Sequence, residues 1–75
     1  MKVPATLVRT NKRPILAELI LGDDVLYVVE VVAEGVTKYA LGSKRKSGRF
    51  YWMIGPTDKV TLWAEMKASW DITVE

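Results

Sequence analysis

The chain has 75 residues, 11 Lys and Arg against 9 Asp and Glu, and neither Cys nor His. That length makes one domain, which buries only about 60% of its unfolded surface. Disulfides are excluded, and a zinc or other transition-metal site would rest on carboxylates alone, a poor match to the usual ligand sets. No metal and no cofactor is therefore expected. Hydrophobic residues are 49% of the chain, with three Trp and three Tyr. A packed core is within reach, and self-association as a homodimer is the expected way to extend it.

The most apolar stretch, residues 15–33, contains Glu18, Asp23, Asp24 and Glu30. Those charges exclude a membrane-spanning helix. No leader-like apolar run opens the sequence, so a cytoplasmic, intracellular protein is expected. Asn11 is the only Asn and Gln is absent. Loss of heat-labile side chains beside abundant Val, Glu and Lys is typical of thermostable proteins.

In chain order, residues 3–8 read as a first strand. Residues 9–14 form a turn closed by Pro14, which favours turns and strand edges. Residues 15–21 are a second strand, ended by Gly22, Asp23 and Asp24. Residues 25–33 are a third, rich in β-branched side chains. Glu34-Gly35 is a tight hairpin turn, followed by a strand over 36–41. Residues 42–48 are a loop, 49–54 a fifth strand, and 55–58 another turn.

The last third is ambiguous. Val60, Leu62, Ala64, Met66, Ala68, Trp70, Ile72 and Val74 occupy every even position, and strict alternation argues for a strand. Fifteen residues at about 3.3 Å each are too long for one straight strand here. The rival is a short helix capped by Asp58, with Leu62, Met66 and Trp70 on one face. A strand is favoured over 68–74, and 59–66 is open. The expected fold is all-β, or mostly β with one short helix near 58–66. It is a small curled antiparallel meander or barrel of 5–7 strands, SH3-like or OB-like in size.

Charge is segregated along the chain. Residues 1–17 carry Lys2, Arg9, Lys12 and Arg13 without an acid. Residues 18–34 carry Glu18, Asp23, Asp24, Glu30 and Glu34 without a base. Residues 35–57 carry Lys38, Lys44, Arg45, Lys46 and Arg49, again without an acid. In a meander the basic turn at 9–13 meets the Glu34-Gly35 end, and the basic loop meets Asp23 and Asp24. Attraction between neighbouring turns explains such blocks without a function.

The functional alternative lies in 36–54. With Gly42 facing Arg49 in a hairpin, Lys38, Ala40, Arg49, Tyr51 and Met53 share one face, and Tyr39, Leu41, Phe50, Trp52 and Ile54 form the core-like one. Cations bind phosphates and rings stack on bases. Lys38, Lys44, Arg45, Lys46, Arg49 and Tyr51 are thus the candidate contacts to a DNA or RNA backbone. Tyr27, Val29 and Val31 extend that face next door. Together with Met53 they are the candidate interface of a competing reading, a homodimeric or inhibitory accessory protein that docks another protein.

Catalysis is not expected. No His is present for acid–base work, Ser43, Ser47 and Ser69 lie in no nucleophile motif, and residues 42–48 lack the phosphate-loop pattern. Gly22-Asp23-Asp24 reads as a polar turn. Glu30 falls opposite Tyr39 on the core-like face, as a rim carboxylate or the partner of a base. No residue pattern identifies a family. From composition, a midpoint of thermal unfolding above about 65 °C, the upper mesophile range, is expected by scanning calorimetry; a lower one would contradict the thermostable reading.

Overall fold

A computed structural model describes residues 2–75. It contains six strands and one helix: β1 (Val3–Arg9), β2 (Ile15–Leu21), β3 (Asp24–Ala33), β4 (Val36–Lys44), β5 (Phe50–Thr57), α1 (Lys59–Ser69) and β6 (Trp70–Val74). Two-residue turns decide which strands are neighbours. Ala33 pairs with Val36, leaving Glu34 at φ 54° and Gly35 at φ 76°. Positive φ at both central positions is the type I′ turn, whose twist matches the strands it joins. Leu21 pairs with Asp24, and Gly22 supplies φ 61° there.

These hairpins build a sheet of order β5-β4-β3-β2-β1-β6. Every pairing from β1 to β5 is antiparallel. The expected antiparallel meander is corrected at one place: β6 lies parallel to β1, with Ala5 opposite Ile72. A parallel neighbour requires a crossover, and α1 supplies it, carrying the chain from one edge of the sheet to the other. Eleven helical residues reach only about 16 Å. Six flat strands would put the edges about 24 Å apart. The link closes because the sheet curls, and it stays open as a sheet, with β5 and β6 as its edges.

The helix resolves the ambiguous third of the chain. Both Asp58 carboxylate oxygens are engaged: the Thr61 hydroxyl donates to one at 2.6 Å and the Thr61 N–H to the other at 3.2 Å. The Leu62 N–H donates to the Asp58 carbonyl at 3.0 Å, the first helical bond. Alternation over 60–68 reads as strand only because Ala64 and Ala68 count as apolar; both are exposed. The side chains that pack are Leu62 and Met66, one turn apart, at 3% and 2% exposure. The helix runs to Ser69, two residues into the expected strand. At that end the Lys2 ammonium donates to the Lys67 carbonyl at 2.8 Å, a favourable place for a cation.

Leu62 and Met66 sit on Ala5, Leu19, Leu26 and Leu41, with Trp63, Trp70, Tyr39 and Ile54 closing the margins. Leu19 and Leu41 are wholly buried. Among the described residues, no helix is long and apolar enough to cross a membrane.

The two Thr61 hydrogen bonds, that from the hydroxyl first, hold the Asp58 carboxyl below the usual carboxylate range. A depressed native pKa means the ionised cap stabilises the fold above the unfolded value of about 3.9, and the gain fades as pH falls through the native one. Asp58→Ala is therefore expected to lower the unfolding midpoint at neutral pH, by a margin that shrinks below about pH 4. Thermal unfolding of both proteins across pH tests this; a margin independent of pH would show that the charge does not act.

Candidate nucleic-acid interface

One face of the sheet is covered by α1 and the other is not. On the uncovered face a row of cross-strand partners runs Val8, Glu18, Tyr27, Gly42, Trp52 through five strands. Next along, Lys44 pairs with Phe50. Phe50 and Trp52 are two residues apart on one side of β5, and their rings stack at 5.5 Å with planes 4° apart. Tyr27 meets Phe50 edge-on at 6.1 Å. Both arrangements are favoured by the ring quadrupoles. Trp52 keeps 39% exposure.

Gly42 makes this cluster possible. A Cβ there would collide with the Tyr51 carbonyl oxygen and lie 2.8 Å from Trp52 Cε3. Without it, β5 and the indole settle directly on β4.

Gly42 faces Trp52, not Arg49 as the sequence suggested. β4 extends through Lys44, and the loop shrinks to a turn over 45–49, closed by Arg45 N–H to Arg49 carbonyl at 2.8 Å and Gly48 N–H to Arg45 carbonyl at 2.9 Å. The register differs by three residues, an odd number, so side chains change face. Phe50 and Trp52 leave the expected core side for the uncovered face. Tyr51 pairs with Ser43 instead, on the opposite side of the strand. It is 50% exposed, and the Arg45 guanidinium lies 4.0 Å from its ring centroid.

Of the candidate phosphate contacts, Lys44, Arg45, Lys46, Arg49 and Tyr51 gather at this end of the hairpin. Lys38 is on the uncovered face opposite Val31, but six residues along β4 from Lys44, about 20 Å at strand rise. Tyr27, Val29 and Val31 share the uncovered face as expected. Val29 and its partner Ala40 are 3% and 0% exposed, so neither offers contact area. Met53 is 59% exposed on a β5 bulge, the extra residue between Ile54 opposite Leu41 and Trp52 opposite Gly42.

Charge pairing differs at the two ends of the sheet. Arg13 reaches Glu30 at 3.9 Å, which gives Glu30 its base at the rim. Among the described residues this is the only ion pair, so Asp23 and Asp24 do not neutralise the basic turn. No cluster of three or more His, Cys, Asp or Glu forms among those residues either. The aromatic cluster of Tyr27, Phe50 and Trp52 was not legible as a site. Its one sequence signal is a Gly in a strand facing aromatics at i, i+2 spacing.

Gly42→Ala is expected to destabilise the protein by about 1–3 kcal/mol, the cost of overpacking, with loss of the Trp52 packing in near-UV circular dichroism. Denaturant unfolding checks it; an unchanged midpoint would mean β5 can lift without cost.

No protein family, curated protein or solved structure matches the chain, so its own residues carry the functional reading.

Proposed function

We propose that this chain is a non-catalytic β domain of the cytoplasm that binds nucleic acid along the β4–β5 hairpin, as a single strand. The observation that supports it is the hairpin tip: Lys44, Arg45, Lys46 and Arg49, none of them in an ion pair among the described residues, beside exposed rings on both sides of edge strand β5. Unpaired cations attract phosphates. Stacking on a ring needs a base free of its own stack, which favours a single strand over a duplex.

The roles divide accordingly. Lys44, Lys46 and Arg49 neutralise phosphates. Arg45 is held over Tyr51 by cation–π attraction, and the pair offers one flat surface. Trp52 offers the other, backed by Phe50. Lys38 serves a strand long enough to follow β4. No metal or cofactor has a role.

Fluorescence anisotropy with labelled single- and double-stranded oligonucleotides, at low and near-physiological salt, tests the reading. Single strands are expected to bind more tightly, and affinity to fall steeply with salt. Replacing Lys44, Arg45 and Lys46 together with Ala should flatten the log–log salt slope by about 1.4, two phosphate contacts at roughly 0.7 each. Trp52→Ala should weaken binding by about 1–3 kcal/mol, the worth of one stacked base, and leave the slope unchanged. An unchanged slope in the triple variant would overturn the phosphate assignment. No binding at low salt would overturn the reading, and the exposed run Tyr51, Trp52, Met53 on an edge strand would then point to a protein partner joined by strand addition.

A further inference from the structure

A second site lies on the helix side, remote from the hairpin tip. Between the N-terminal half of α1 and the ends of β1, β2 and β6 opens a cleft of about 700 Å³. Ligand pockets typically occupy roughly 300–1,000 Å³. Its walls are apolar, with Leu7, Val28, Leu62, Trp63 and Met66 among them. Val60 and Val74 also line it and are 78% and 49% exposed, apolar surface that an occupant would cover.

The charged groups lining the cleft are of one sign. Arg9 ends β1 and Lys59 begins α1; both line the cleft, and no acid does. Among the described residues neither cation makes an ion pair. Asp58, beside Lys59 in sequence, is turned onto Thr61 and is not part of the lining. An apolar cleft with two unpaired cations complements a molecule with an apolar chain and an anionic end.

We propose that the cleft binds a single-chain amphipathic anion of the fatty-acid type. The alkyl chain lies between Leu7, Val28 and Trp63, and the carboxylate lies with Arg9 and Lys59. Burying the chain drives binding, and charge-assisted hydrogen bonds to the two cations select the anion over an uncharged chain.

The test is a titration of the ¹⁵N-labelled full chain with decanoate below its micelle concentration, against decanol over its soluble range. Saturable shifts confined to the amides of Leu7, Val28, Leu62, Trp63 and Val74 are expected, with decanoate at least tenfold tighter. The double variant Arg9→Gln, Lys59→Gln should lose that tenfold and bind decanol as before. Both side chains are exposed, and if the pair proves unstable, Lys59→Gln with the decanoate-to-decanol ratio of the unaltered protein decides the point. Equal affinity for the two chains would overturn the anion assignment. Shifts that do not saturate, or that fall on Lys44 to Arg49, would overturn the site.

Discussion

The crossover from β5 to β6 is the constraint on which the rest of this structure depends. The chain ends its meander at one edge of the sheet and must place its last strand at the other. A short capped helix is the only element between them. Its reach is shorter than a flat sheet is wide, so the sheet curls. The same helix brings Leu62 and Met66 down on Leu19 and Leu41, covering one face and leaving the other without a helical cover. Asp58 matters out of proportion to its size, because it starts the helix where β5 stops.

The uncovered face is where packing and function meet. In a sheet covered on one side, alternate residues of each strand face away from the core. Here those positions hold Tyr27, Phe50 and Trp52 as well as Lys38 and Lys44. The rings lie against one another and against the backbone at Gly42, which keeps much of their area from water. The bulge at Met53 then turns β5 so that Ile54 returns to the core. One strand thereby serves the core at one end and presents rings at the other. Bulges commonly re-aim side chains in this way.

Electrostatics sort the two ends of the sheet differently. At the end bearing Glu34-Gly35, Arg13 finds Glu30. At the end bearing the basic turn, the cations make no ion pair among the described residues. An exposed ion pair contributes little to stability, so leaving it unmade costs the fold little and leaves the charge available to a ligand. The helix-side cleft follows the same principle on a smaller scale. Two cations stand over apolar walls with no acid among them.

Much of this was legible locally. β-Branched runs bounded by Gly, Asp and Pro placed all of the first five strands, and Glu34-Gly35 set the register of β3 on β4, including Glu30 opposite Tyr39. Such short-range rules work because a two-residue turn leaves the following strand one way to pair. The β4–β5 loop was longer, so its register was free by several residues, and an odd slip exchanged the faces of Tyr51 and Trp52. The period of 59–66 left strand and helix open because Ala suits either structure and only the Asp58 cap distinguishes them. By itself, then, the sequence determined the β character, the tight turns, the absence of Cys and His chemistry, and the basic segment. Only the tertiary structure decided that β6 joins β1 in parallel, that Trp52 rather than the core claims the open face, and that Arg9 and Lys59 line one cleft. Those are contacts between residues far apart in the chain, and no local pattern encodes them.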